Sequence, residues 1–234
     1  MTTTITVVSD TTPVEVTREC PLCEIDLEEG DTSEFTALED PDGDISVTSA
    51  AALANTNYGI AFLIDDANPV HGDKTLSVNS ITGVMRLRLY IDPHSLTLGD
   101  GSEFPFVYVT SSSLIICSLY LNYSSGYRIQ AGIYKDTVGV VSSSYYAITD
   151  APHYIEILLV RATTDVSSDG YLQLWIDGVS QETIPNIDNY DRFNDFGGFA
   201  VGVISGAYFS GSNSGTFYLD EIIVNETGTL IGAR

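Results

Sequence analysis

Residues 154–178, with the sequence YIEILLVRATTDVSSDGYLQLWIDG, decide the fold of this chain. Two runs with apolar residues at alternate positions flank a loop of Thr, Asp, Ser and Gly, which is typical of two antiparallel strands that each bury one face. Asp177 and Gly178 follow as a two-residue turn that reverses the chain into a further strand. Trp175, the only tryptophan, is expected inside the core between the sheets.

The overall composition favours the same all-β class. The 234 residues include 14 Tyr, 9 Phe and 20 Gly, and aromatic and β-branched residues favour strands while Gly favours turns. The sequence has no repeat and no break in composition, so residues 24–234 are expected to form one antiparallel two-sheet jelly-roll sandwich. Residues 1–23 carry little to bury. They are expected to be an extended N-terminal arm that adds to a sheet edge of its own or a neighbouring chain, or else a frayed terminus.

The charge excludes some partners. Nine Lys and Arg residues stand against 32 Asp and Glu, which gives a net charge of −23 and an isoelectric point near 4.1. Such a surface repels nucleic acids and anionic membranes, and no apolar run has the roughly 20 residues needed to cross a bilayer. The first residues, MTTTITVVSD, do not resemble a signal peptide. We therefore expect no membrane insertion, and a location on a virion or an extracellular surface.

Cys20 and Cys23 form a Cys-Pro-Leu-Cys knuckle. A zinc site needs about four ligands, and the sequence has no second pair at matching spacing. A metal site, a local turn, a redox-sensitive pair and a contact between chains all remain open for these two residues.

Three motifs indicate a family for residues 25–224. They are LEEG at 27–30 followed by Phe35, LWIDG at 174–178 and FYLDEI at 217–222. With these motifs the chain resembles the concanavalin A-like jelly-roll group, which includes laminin-G-like domains, lectins, β-glucanases and carbohydrate-binding modules. The resemblance implies that Glu28 and Asp220 share a structural calcium ion, Ca²⁺, which takes six to eight oxygen ligands. The alternative is that both are merely exposed carboxylates.

A sugar site requires aromatic platforms with polar partners, and the loop NIDNYDRFNDF at 186–196 offers both. Its rings could instead plug the loop onto its own sandwich. The candidate glycan-binding residues are Tyr190, Asp191, Arg192, Phe193 and Asn194, with Tyr145 and Tyr146 as additional rings.

Catalytic signals are weak in the sequence. Retaining glucanases of this fold place two carboxylates on one strand face, and no strand here carries such a motif. His71, His94 and His153 are widely spaced and are expected in turns. The sequence therefore predicts no enzyme.

The function expected from these observations is that of a non-enzymatic structural protein. The chain would be a jelly-roll subunit that decorates a virion capsid or cell-surface layer through arm and sheet-edge contacts, with self-association or docking to shell proteins. A calcium-stabilised carbohydrate-binding or adhesion module with glycan partners is the alternative. A glycoside hydrolase ranks third.

Overall fold

A computed structural model describes residues 3–9, 12–18, 22–76, 82–112, 114–205 and 213–234. The chain is all-β, with two antiparallel sheets packed face to face as a sandwich that does not close into a barrel. The fold class expected from the sequence is confirmed. The strands are β1 Thr3–Ser9, β2 Thr12–Arg18, β3 Cys23–Ile25, β4 Ala37–Glu39, β5 Ile45–Thr48, β6 Gly59–Ile64, β7 Val70–Thr75, β8 Val84–Asp92, β9 Glu103–Ser111, β10 Leu114–Tyr123, β11 Tyr127–Tyr134, β12 Val140–Ser142, β13 Tyr146–Ala147, β14 His153–Val160, β15 Gly170–Ile176, β16 Val179–Ile187, β17 Gly198–Val203 and β18 Gly215–Asn225.

Each layer of the sandwich is an eight-stranded sheet. The front sheet has the order β12-β11-β10-β9-β17-β7-β4, with β13 also paired to β11, and the back sheet has the order β16-β15-β14-β8-β18-β6-β5, with β3 paired to β18. Alternate residues of both sheets fill the space between them, as Ile155, Ile157 and Leu159 do on β14. Each such buried side chain contributes about 1.5–3 kcal/mol relative to exposure.

Trp175 does not lie in this core, contrary to the expectation from the sequence. Leu174 and Ile176 point into the core, so the intervening Trp175 faces outward, where its ring lies 4.6 Å from the guanidinium of Arg86. Trp175 is nevertheless only 8% exposed. Alternation along β15 therefore places the largest aromatic residue on the outer side of the back sheet.

The outer face of the back sheet is covered by the segment 226–234. Arg86 and Arg88 alternate with core leucines along β8 and point outward, yet each is only 2% exposed. Arg86 donates to the carbonyl of Gly228 at 2.8 Å, and the N–H groups of Ile231 and Gly232 donate to Glu156. We call this segment the strap, because it holds charged side chains against the sheet.

The N-terminal strands β1 and β2 pair with each other as a separate two-stranded sheet. The division into an arm at 1–23 and a sandwich at 24–234 stays a prediction. Within the described part of the chain, no helix is long and apolar enough to span a membrane.

Candidate functional site

The outer face of the front sheet carries a strip of aromatic and polar side chains. Paired residues of neighbouring strands point to the same side, and two β-bulges in the β9-β10 pair keep the apolar residues inward. Tyr108 pairs with Ser118, and Ser118 pairs with Gly132. Further along the strands, Tyr120 pairs with Gln130. We call this surface the tyrosine face; its members are Tyr108, Ser118, Tyr120, Asn122, Arg128, Gln130, Gly132 and Tyr134.

Tyr120 and Tyr134 meet at the centre of the tyrosine face. Tyr120 follows Ser118 by two residues on β10, and Tyr134 follows Gly132 by two residues on the antiparallel β11. The two tyrosines therefore lie on opposite sides of the Ser118–Gly132 pair, and their hydroxyls meet above it. Burial, and then the contact with Tyr120, raise the pKa of Tyr134 well above its usual range. The Tyr134 hydroxyl is therefore held in its neutral form, in contact with Tyr120.

Small residues make room for this contact. A Cβ atom at Gly132 would lie 2.9 Å from both the Ser118 hydroxyl oxygen and a methyl carbon of Val140, which is too close for ordinary packing. Ala200 of β17 pairs with Tyr108 in the same row. A larger residue at position 132 would therefore crowd Ser118, over which the two tyrosines meet.

A guanidinium lies at each end of β11. Arg128 donates two hydrogen bonds to the amide oxygen of Asn122, at 3.0 and 2.6 Å, and stacks 4.6 Å from the ring of Tyr145. At the other end Arg192 lies 5.2 Å from the ring of Tyr134 and donates from Nε to the carbonyl of Ile115 at 2.7 Å. The tyrosine face therefore lies between two cationic groups.

These two arginines differ from those of the back sheet. Arg86 pairs with Glu156, while Arg88 and Arg234 both pair with Glu221. Neither Arg128 nor Arg192 forms an ion pair with a carboxylate of the described residues. On a chain with a net charge of −23, they leave local positive charge beside the tyrosine face.

The glycan-binding residues expected from the sequence divide between several environments. Tyr145 and Arg192 lie at opposite ends of the tyrosine face. Phe193 is buried in the core, so it plugs the loop onto the sandwich. The ring of Tyr190 is covered by Arg161 at 3.7 Å.

The remaining three have other neighbours. Tyr146 donates to Glu182 at 2.8 Å, and Asn194 accepts from the hydroxyl of Ser111. Asp191 is exposed, and its N–H donates to Asp136. Glycan binding by this loop stays a prediction.

The sequence analysis missed the tyrosine face, although a signal was present. In β10 and β11 the polar residues Ser118, Tyr120 and Asn122, and then Arg128 and Gln130, recur at every second position between apolar residues. This pattern indicates strands with a functional outer face, rather than only a solvated one.

Glu28 and Asp220 bind the same loop, at residues 53–57. The side chain of Asp220 is fully buried and accepts from the N–H groups of Leu53 and Ala54 and from the hydroxyl of Thr56. Glu28 accepts from the backbone and side-chain amides of Asn57. Both carboxylates therefore accept hydrogen bonds from this loop. Calcium binding stays a prediction.

Of the two cysteines of the knuckle, only Cys23 is among the described residues. Cys20 lies outside the described residues, while Cys23 is buried in β3, where burial raises the pKa of its thiol. In the described ranges, no three His, Cys, Asp or Glu side chains are grouped so that they could hold a metal ion.

These features define a concanavalin A-like jelly-roll sandwich, as the sequence motifs indicated. No protein-family model matches the sequence, and no curated protein matches it. Solved structures do match. An endo-β-1,4-glucuronan lyase from the fungus Trichoderma reesei has a TM-score of 0.67 at 10% identity, covering 89% of this chain and 96% of its own. A carbohydrate esterase from the Shiga toxin-encoding bacteriophage phi24B has a TM-score of 0.61 at 12% identity, covering 88% and 97%. An alginate lyase from Chlorella virus has a TM-score of 0.55 at 12% identity, covering 82% and 100%.

These matches correct two expectations. The chain was interpreted as a non-enzymatic subunit of a capsid or surface layer, whereas structures that share its fold include ones named as polysaccharide lyases and a carbohydrate esterase. The expectation that the chain is not an enzyme is wrong on the same ground. The polar residues of the tyrosine face lie on separate strands, so no contiguous catalytic motif marks them in the sequence.

Proposed function

We propose that this chain is a carbohydrate-active enzyme that cleaves an acidic polysaccharide by β-elimination on the tyrosine face. The observation that carries the proposal is the contact between Tyr120 and a Tyr134 hydroxyl that stays protonated, with Arg128 and Gln130 on the same face. Names of structures with this fold, a glucuronan lyase and an alginate lyase, support the choice of reaction.

The reaction needs three kinds of group. A β-elimination at a uronic acid removes the proton on the carbon next to the carboxylate, and the bond to the glycosidic oxygen then breaks. Hydrogen-bond donors must stabilise the charge that develops on the carboxylate, which Arg128 and the amide of Gln130 can do. In a concerted relay, the Tyr120 oxygen accepts the proton from carbon while its own proton passes to Tyr134. The Tyr134 proton passes to the leaving oxygen, so both hydroxyls end the step as they began it.

Hydrolysis fits the same face less well. Hydrolases of sugars use two carboxyl groups about 5 to 9.5 Å apart. Glu103 lies five residues from Tyr108 along β9, or about 17 Å at the usual rise per residue, and it already accepts from the Tyr145 hydroxyl at 2.6 Å. Asp73 lies on β7, where it pairs with Ala200, two strands from Tyr108 and far from Glu103 at the other end of β9. The tyrosine pair is therefore a better candidate for the chemistry than any carboxylate pair on this face.

The test is to incubate the purified chain with glucuronan, alginate and a neutral glucan. Elimination creates a carbon–carbon double bond conjugated to the carboxylate, which is followed by ultraviolet absorbance. We expect product from an acidic polymer, with a loss on the order of 10²-fold or more in Tyr134→Phe and Tyr120→Phe. Tyr58→Phe, which changes a half-exposed tyrosine elsewhere, is the matched control and should keep full activity.

Two results would contradict the proposal. One is cleavage of an acidic polymer that is unchanged in Tyr134→Phe. The other is the absence of unsaturated product from both glucuronan and alginate. If one of these polymers nevertheless binds to the tyrosine face, the face only binds carbohydrate.

A further inference from the structure

A hydroxyl, an imidazole and a carboxylate form a hydrogen-bonded chain at one end of the sandwich. The Thr149 hydroxyl oxygen lies 2.7 Å from Nε2 of His153, and Nδ1 of His153 lies 2.6 Å from a carboxylate oxygen of Asp177. The sequence analysis treated His153 as a turn residue because its partners are separated along the chain. The fold joins the segment before β14 to the turn between β15 and β16.

The hydrogen bonds fix the tautomer of His153. The backbone N–H of Thr149 donates to Nε2 at 3.0 Å, and an N–H group can only donate. Nε2 therefore carries a lone pair, so the proton of the neutral ring is on Nδ1 and is donated to Asp177. The Thr149 hydroxyl oxygen lies closer to this lone pair, at 2.7 Å, than the backbone N–H does, so the two donors share it, and a general-base step transfers the hydroxyl proton to it.

Asp177 is held in place by the backbone. It occupies a turn with Gly178 in which both residues have positive φ, 51° and 75°, as expected for the tight turn predicted from the sequence. Its second carboxylate oxygen accepts from the N–H of Tyr154 at 3.0 Å. The carboxylate is thus oriented toward the imidazole before any ligand arrives.

The nucleophile end of this chain is open to solvent. Thr149 is exposed, whereas the side chain of His153 is only 14% exposed. Asp150 follows on an exposed bend. A base that is shielded and oriented behind an accessible hydroxyl is the arrangement that nucleophilic catalysis requires.

We propose that Thr149, His153 and Asp177 form an acyl-transfer site that hydrolyses short-chain carboxylic esters. The Thr149 oxygen attacks the acyl carbon as its proton moves to Nε2, and the carbon–oxygen bond to the alcohol then breaks, with the alcohol taking that proton. Water repeats the sequence on the acyl-threonine, releasing the acid and restoring the hydroxyl and the neutral imidazole.

The position of the site suggests the natural ester. Thr149 follows β13 by two residues, and Ala147 of β13 pairs with Arg128 of the tyrosine face. Resting on the function proposed above, the ester would be an O-acyl group on a sugar bound at that end of the tyrosine face. The acyl-transfer site itself requires only the three residues and can be tested without a polysaccharide.

The experiment uses the full chain and p-nitrophenyl acetate. Release of p-nitrophenolate gives the rate, and mass spectrometry of peptides after a rapid acid quench locates the acetyl group. We expect acetyl on Thr149 and a loss on the order of 10²-fold in Thr149→Val and His153→Gln. Asp177→Asn should also reduce the rate, while Thr149→Ser should retain it. Thr183→Val and His94→Gln change an exposed threonine and an exposed histidine elsewhere and are the matched controls.

The proposal is overturned if Thr149→Val hydrolyses the ester at the wild-type rate, or if the acetyl group is found only on other residues. Thr149→Val keeps the backbone hydrogen bond to His153 and the side-chain shape, so its fold can be verified by thermal unfolding. Polysaccharide elimination is measured separately on the same variants and is expected to be unchanged. Loss of ester hydrolysis can therefore be told apart from loss of elimination on the tyrosine face.

Discussion

Replacing one member of the buried ion pair beneath the strap should lower the free energy of unfolding far more than half of the effect of replacing both members together would suggest. Arg86 and Glu156 are 2% and 1% exposed, and their closest atoms are 2.8 Å apart. Replacing one member of such a pair leaves the other charged and buried, which costs about 3–5 kcal/mol. We therefore expect Arg86→Met and Glu156→Met each to lower the free energy of unfolding by roughly that amount.

The double substitution should be much milder than the sum. Two methionines of similar volume leave no uncompensated charge, and such replacements are often neutral or stabilising. The N–H groups of Ile231 and Gly232 still lose their acceptor, at about 1–3 kcal/mol each where water cannot replace it. The two single costs sum to about 6–10 kcal/mol, and we expect the double variant to recover about 3 kcal/mol or more of that sum.

The free energy of unfolding of the wild type, the two single variants and the double variant is measured by urea unfolding. The signal is the fluorescence of Trp175, the single tryptophan, which lies 4.6 Å from the guanidinium of Arg86 in the wild type. The slope of free energy against urea must agree between variants for the comparison to hold. A second cycle with Asp42→Ala and Asn68→Ala, an exposed hydrogen-bonded pair, is the control and should show coupling below about 1 kcal/mol. Additivity within about 0.5 kcal/mol at Arg86 and Glu156 would refute the reasoning.

Three further predictions concern the front sheet. Arg128→Gln should weaken binding of acidic oligosaccharides by about 1.5–3 kcal/mol in calorimetry, because a charge-assisted contact is lost; equal loss for a neutral oligosaccharide would contradict a role in charge recognition. Gly132→Val should abolish elimination by forcing Ser118 and the tyrosines apart, and wild-type activity in a folded variant would contradict the need for a glycine at this position. Burial raises the pKa of Tyr127 to about 12, whereas a tyrosine in the unfolded chain has a pKa of about 10. The stability that depends on a neutral Tyr127 is therefore complete below about pH 10 and is lost as the pH rises to about 12. Urea midpoints across that range should fall less steeply in Tyr127→Phe; an unchanged fall would exclude this tyrosine as a cause.

The sequence determined the strands and the class of fold. Alternation in β8, β14 and β15 is local, since it depends only on side chains pointing to opposite faces of a strand. The turn at Asp177 and Gly178 is likewise set by the two residues that occupy it. Pattern and motif were therefore sufficient for an all-β jelly-roll sandwich.

The tertiary structure decided which outward strand faces are exposed to solvent and which are covered by another segment of the chain. Arg86, Arg88 and Trp175 face outward as alternation requires, yet all three are buried, and Arg86 donates to Gly228 of the strap. The sequence of β8 carries no information about a segment so distant along the chain. The same holds for the acyl-transfer site, where a turn brings Asp177 to His153 across the hairpin.

The tyrosine face shows the same limit for function. Tyr108, Tyr120 and Tyr134 belong to three strands, and only the register of those strands, with its two bulges, places them on one side of the sheet. Register is set by how the whole apolar set packs against the opposite sheet, because a shift of one residue would turn every core side chain outward. Sequence alone therefore determines the fold through local alternation, whereas the site arises from long-range pairing that only the packed core fixes.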